Sequence, residues 1–141
     1  MTGELMQIGE VAQRVGLSLR TVRHYEEVGL VIPVGRSQGN FRLYDHDAIA
    51  RLLVIKQMKP LDFSLEEMRD LLTLRARLGD RQLSADERTA LQERLEIYSL
   101  AARRRCIALR EQLEVAEAFS RTLAEDIPLS PDASTEQAQR R

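Results

Sequence analysis

Arg20, Thr21, Arg23 and His24 fall within five consecutive residues, and Arg36, Arg42 and Tyr44 follow a short way along the chain. A guanidinium group can bond bidentately to guanine or grip a phosphate, threonine can touch a thymine methyl, and a tyrosine hydroxyl can donate to phosphate. This is the chemistry of reading duplex DNA, and no bond-making machinery accompanies it. Ser64 and Ser84 stand where helices start, His24 and His46 have no nucleophile beside them, and there is neither a glycine-rich phosphate loop nor a catalytic carboxylate pair. The chain is therefore not expected to be an enzyme or to carry a cofactor. A soft-metal site needs at least two thiolate or imidazole ligands. With one cysteine, Cys106, and two histidines, no metal site and no iron–sulfur cluster is expected.

The elements around these residues suit them to a groove. Ile8, Val11, Ala12 and Val15 recur at the spacing of one buried helical face, and Gly16 supplies the left-handed turn that stops a helix. Ser18 is positioned to cap a second helix, whose inner face is read as Leu19, Val22 and the ring of Tyr25. That leaves Arg20, Thr21, Arg23 and His24 outward, with Ser18 at their head, as a helix-turn-helix presents them. Tyr25 admits two roles at once, core ring and phosphate contact. Next come VIPV, a turn-rich GRSQGN and FRLY, read as a hairpin closed by a Gly-Asn turn. Alternation sets Phe41 and Leu43 on one side and Arg42 and Tyr44 on the other, with Arg36 near the loop as a further phosphate donor.

Downstream, Asp45 is placed to cap a helix carrying Ile49, Leu52, Leu53, Ile55 and Met58, whose LLVI run predicts burial on most sides, and Pro60 ends it. Ser64 with Glu67 forms a capping box, and Phe63 with Met68 a hydrophobic staple, ahead of a helix bearing Leu65, Leu71, Leu72 and Arg75. Gly79-Asp80 closes this unit. A second capping box, Ser84 to Glu87, opens a helix free of glycine and proline until Pro128. About 40 residues at 1.5 Å each make a rod of roughly 60 Å, which needs a partner. Its seam reads Leu91, Leu95, Tyr98, Ala102, Arg105, Leu109, Gln112, Ala116, Phe119 and Leu123, with Leu113 beside Gln112 marking a local shift. Two such rods would make a C2 homodimer whose two reading helices see a palindrome. Arg103, Arg104 and Arg105 are read as the outer side of that coil, and Cys106 as a small buried thiol near the seam, redox modification or a cross-dimer disulfide being the alternative. Residues 127–141, polar and proline-containing, are expected to form a disordered tail.

Composition limits the choices. The chain has 141 residues, 43% hydrophobic but only 4% aromatic, which disfavours an aromatic-lined ligand cavity within one protomer. Net charge is −1, so this is no polybasic nucleic-acid binder. From residue 14 to 44, however, five arginines face Glu26 and Glu27, a local excess of +3. The N-terminal MTGELMQIGE lacks a secretory pattern, and no apolar run approaches the roughly 18–20 residues of a spanning helix. A cytoplasmic protein without a membrane partner is expected.

RTVRHYEEVGL, then GNFRLYD, then FSLEEMRDLL stand in the order and spacing of MerR-type transcriptional regulators, which the chain resembles closely over residues 6 to 76. The resemblance implies a mainly α fold: a winged helix-turn-helix DNA-binding domain (residues 5–79) followed by a long dimerising coiled-coil helix (84–125). It implies that Arg20, Arg23, His24 and Tyr25 sit where the family's recognition helix meets DNA, and Arg36, Phe41, Arg42 and Tyr44 where its wing does. His24 replaces a usual aromatic, and Asn40-Phe41 a usual Gly-Tyr. The resemblance further implies an antiparallel homodimer that bends and untwists a promoter spacer so that RNA polymerase engages both elements. Drug-sensing relatives carry a large C-terminal ligand domain, so a small-molecule effector, unknown here, would bind along the coil or near the domain junction. An architectural or excision-type accessory DNA binder is the alternative reading, and a coiled-coil interaction protein with a degenerate DNA unit is another.

Overall fold

Gly16 carries a positive φ of 70° and ends the first helix by returning its N–H to Ala12, as the glycine's placement predicts. In the computed structural model, which describes residues 4–127, the elements follow that punctuation. They are β1 (Met6–Gln7), α1 (Ile8–Val15), α2 (Leu19–Glu27), β2 (Gly35–Arg36), β3 (Arg42–Tyr44), α3 (His46–Met58), a 3-10 turn (Lys59–Leu61), α4 (Leu65–Leu78) and α5 (Ala85–Asp126). The fold is mainly α. Val11, Ala12, Val15, Val22, Tyr25, Leu30, Val31, Leu52, Ile55 and Leu72 form the core of the N-terminal unit.

The start signals hold at atomic detail because each is a local bond. Ser18 accepts from the N–H of Thr21, and Asp45 from that of Ala48. The Ser64–Glu67 capping box closes reciprocally at 3.0 and 3.1 Å, and Ser84–Glu87 does so at 3.3 and 3.1 Å. Phe63 and Met68, the staple pair, are both buried. Asp62 takes the left-handed conformation after Pro60, reversing the chain into α4. Arg88 on α5 donates to the carbonyls of Leu78 and Asp80, satisfying the end of α4.

Some readings of the strands and helix faces change. The sheet has three strands in the order β1-β3-β2, all antiparallel, because Met6 and Gln7 pair with Tyr44 and Leu43, an edge too short to carry a period. VIPV is not a strand: β2 lies at Gly35–Arg36, opposite Leu43 and Arg42, with Ile32 and Val34 exposed. Leu19 lies outside the inner face at 42% exposure, since it opens α2 beyond the stripe of Val22 and Tyr25. Leu53 of the LLVI run is exposed, because only Ala48, Leu52, Ile55 and Met58 share the buried side of α3, while Leu74 joins Met68 and Leu72 on that of α4.

Residues 101 onward form a separate compact unit, which among the described residues consists of the remaining length of α5. There Leu109, Leu113, Phe119, Leu123 and Ile127 are exposed, as is Cys106. The thiol read as buried lies open in a single chain, where every described residue from Cys106 to Ile127 is exposed. The expected tail falls, after Ile127, outside the described residues.

Candidate nucleic-acid interface

Three cations set the helix-turn-helix in place from behind. Lys56 on α3 donates to the carbonyl of Val15 at 2.9 Å, Arg51 on α3 to that of Leu30 at 2.9 Å, and Arg69 on α4 to that of Val28. Val15 ends α1, and Val28 caps α2. These ends leave orphan carbonyls carrying partial negative charge, so cations there satisfy bonds and complement the helix dipoles. A Cβ on Gly16 would stand 2.9 Å from the Lys56 ammonium, so the turn also leaves room for that bond.

Held this way, α2 presents Arg20, Arg23 and His24 to solvent, with Thr21 partly covered. The Ser18 and Thr21 hydroxyls bond each other at 2.8 Å at the head of the helix. Arg20, Thr21, Arg23 and His24 line one open groove with Leu19, Glu27 and Lys59. Lys59 adds a cation from the turn after α3 that sequence periodicity cannot connect to α2, since it lies far along the chain. The Tyr25 ring is 3% exposed and tilted against His24 at a centroid distance of 5.6 Å, so of its two roles the core one is filled.

The wing turns tightly between Ser37 and Asn40. The Asn40 N–H bonds to the Ser37 carbonyl at 2.9 Å, and Asn40 itself takes the left-handed position, φ 66°. Gly39 lies under the Phe41 ring, where a Cβ would meet ring carbons at 3.0 Å. Gly-Asn thus divides two jobs, close approach and positive φ. Phe41 is 59% exposed, and Arg36 donates to the Asn40 carbonyl at 3.2 Å.

Tyr44 corrects the wing reading. It is fully buried, and its hydroxyl donates to Glu26 Oε2 at 2.6 Å, so it offers no donor at the surface. Burial, with the Glu26 hydrogen bond and charge, pushes its hydroxyl well above the usual tyrosine range, so it stays protonated. Arg42 does share that side, as alternation requires, and reaches Glu26 Oε1 at 2.6 Å. Glu26 is the residue that periodicity missed: it ties the recognition helix to the wing.

The rod residues also divide. Leu91 is 3% exposed within one chain, and Leu95, Tyr98 and Ala102 are partly buried. The Tyr98 hydroxyl donates to Asp70 Oδ2 at 2.6 Å, Arg94 binds the other oxygen, and the Tyr98 ring lies 6.1 Å from that of Phe63. The hydrogen bond from Tyr98, then that from Arg94, holds the Asp70 carboxyl below its ordinary range. Tyr98 thus faces α4 and Phe63 of its own chain, and Leu91 is covered within that chain, instead of lining a free dimer seam. Leu109, Leu113, Ala116, Phe119 and Leu123 are exposed.

This geometry, an arginine-bearing second helix beside a small wing, is that of a winged helix-turn-helix. Residues 6–74 match the model of the MerR helix-turn-helix regulatory protein family. Over 69 residues the chain is 42% identical to an HTH-type transcriptional regulator, a ZntR homolog, of Haemophilus influenzae, covering 49% of this chain and 51% of that one. It is 34% identical over 97 residues to the nodulation protein NolA of Bradyrhizobium elkanii, 63% of this chain and 44% of that one. Among solved structures it resembles HiNmlR, a MerR family regulator lacking the sensor domain, bound to promoter DNA. That match has a TM-score of 0.61 at 20% identity, covering 86% of this chain and 92% of that one. A MerR family regulator from Bacillus thuringiensis gives 0.65 at 16% identity, covering 86% and 99%; at such identities the likeness is one of fold. The chain belongs, through this domain, to the MerR family. It spans about half or less of the length of the first curated relatives it matches. Among the described residues no helix is long and apolar enough to cross a membrane.

Proposed function

We propose that this chain is a sequence-specific DNA-binding transcriptional regulator that works in the cytoplasm as an antiparallel homodimer on a palindromic promoter site. The observation that carries the reading is the open groove on which Arg20, Thr21, Arg23 and His24 come together with Lys59. Ser18 heads the same helix, while Arg36, Phe41 and Arg42 supply the wing. The exposed Leu109, Leu113 and Leu123 support pairing with a second copy, since an apolar stripe of this length is costly to leave in water. Two reading heads on one duplex would bend and untwist the promoter spacer, a deformation of order 1–6 kcal/mol offset by phosphate contacts on both half-sites, so that RNA polymerase engages it.

The test is selection of duplexes from a random library, followed by salt titration. A selected duplex should bind with log-linear salt dependence. Arg23→Ala should weaken it by more than about 1 kcal/mol. A protein that selects nothing, or an R23A variant with unchanged gel-shift affinity, removes the basis of the reading.

A further inference from the structure

Glu26 is an acidic residue in an unfavourable place. It sits in the last turn of α2, where the helix dipole disfavours a negative charge, and on the element proposed to approach phosphates, which would repel it. Yet its side chain is only 11% exposed and spends both oxygens on one strand, Oε1 on Arg42 and Oε2 on Tyr44, each at 2.6 Å. The strand has its own need for this partner. In the β2–β3 register Arg36 stands directly opposite Arg42, a like-charge cross-strand pair that destabilises a ribbon already only two to three residues long. A short hairpin of this kind has little stability of its own.

We propose that Glu26 is a positioning residue that fixes the wing against the recognition helix, so that both meet DNA in one preset geometry, without itself touching DNA. The inference rests on the DNA-binding reading above. Tyr44 is the inner anchor, fully buried and neutral, and Arg42 the outer one, half in solvent and so able to turn its free edge to a phosphate. Ordering the wing before binding removes an entropic cost from the complex. Glu26 therefore favours binding through geometry while opposing it through charge, and the two effects have opposite signs on substitution.

That opposition makes the test decisive. Glu26→Gln in the full chain removes a negative charge from the DNA side. A plain surface anion predicts tighter binding to any duplex. The positioning role predicts that affinity for a duplex selected by the wild-type protein falls roughly ten-fold or more, while affinity for a scrambled duplex of equal length holds or rises. Tyr44→Phe leaves every charge in place, and should lower the same ratio less. In the DNA-free protein, amides whose bonds close the wing, Val34 to Leu43 and Ser37 to Phe41, should exchange faster in E26Q, while those of α3 keep their protection. Equal tightening on both duplexes, or unchanged wing exchange, overturns the proposal. If E26Q does not fold, an unchanged Tyr44→Phe ratio overturns it. Should wild-type protein select no duplex at all, the DNA reading fails and takes this inference with it; selection with an unmoved ratio defeats this inference alone.

Discussion

Two tyrosine hydroxyls in this chain each donate to a carboxylate that also receives an arginine: Tyr44 and Arg42 at Glu26, Tyr98 and Arg94 at Asp70. The spacings differ because the elements do. Positions 42 and 44 share a side of a strand, which repeats every two residues, and 94 and 98 share a face of a helix, where neighbours lie four apart. The surroundings differ more. Tyr44 has no exposed surface and the Glu26 side chain is 11% exposed, while Asp70 is 40% exposed. Water screens the second trio and competes for it, so it is a breakable tie between α4 and the first half of α5. In the first the Tyr44 ring is enclosed and Glu26 mostly covered, with only Arg42 reaching solvent, so losing the Tyr44 hydroxyl leaves a covered carboxylate oxygen unsatisfied. One chemical device serves as a fixed joint between α2 and the wing and as a loose one between α4 and the first half of α5.

Truncation should separate the two joints most sharply. Tyr44→Ala empties a fully buried ring site and is expected to cost about 3–5 kcal/mol in denaturant unfolding, whereas Tyr98→Ala, partly solvated, should cost clearly less. Equal losses would mean that the two joints are equally deep. Removing only the hydroxyls is the finer cut. Tyr44→Phe should cost about 1–3 kcal/mol, because Glu26 Oε2 is left buried and unpaired. Tyr98→Phe should cost less than about 1 kcal/mol, since water can reach Asp70.

The smallest effect is in pH. The folded state holds the Asp70 carboxyl below its usual value of 3.8, so the stability it contributes is present above that value and lost as acid protonates it in the folded state. Tyr98 lies opposite: burial and Asp70 push its hydroxyl to about 12, so its contribution is present below pH 10 and lost between pH 10 and 12. Asp70→Asn should flatten the acid limb in chemical unfolding at pH 3 and pH 7, and Tyr98→Phe the alkaline limb. An Asp70→Asn curve parallel to wild type would show that the tie adds nothing.

The pattern of what could be read in the chain follows from range. Gly16 after α1, the caps at Ser18 and Asp45, and the capping boxes at Ser64 and Ser84 are each decided within a few residues, and each was legible. So was the outward set Arg20, Arg23 and His24, which depends only on helical period. Tyr44 was misread because alternation tells which side of a strand a residue takes, not what covers that side. Leu91 and Tyr98 fit a heptad yet turn to their own chain, since period does not say which helix fills a face. β1, two residues long, was invisible to any period.

Within this protein, then, the order of residues by itself determined where helices start and stop, which face of each is apolar and where positive charge gathers, because those depend on neighbours a turn away. Only the tertiary structure decided that Glu26 would hold Tyr44 from 18 residues away, Asp70 would hold Tyr98 from 28, and Lys56 and Arg69 would cap carbonyls 41 residues upstream. Such bonds form only after burial has brought distant elements together, and in sequence those residues look like ordinary surface charges.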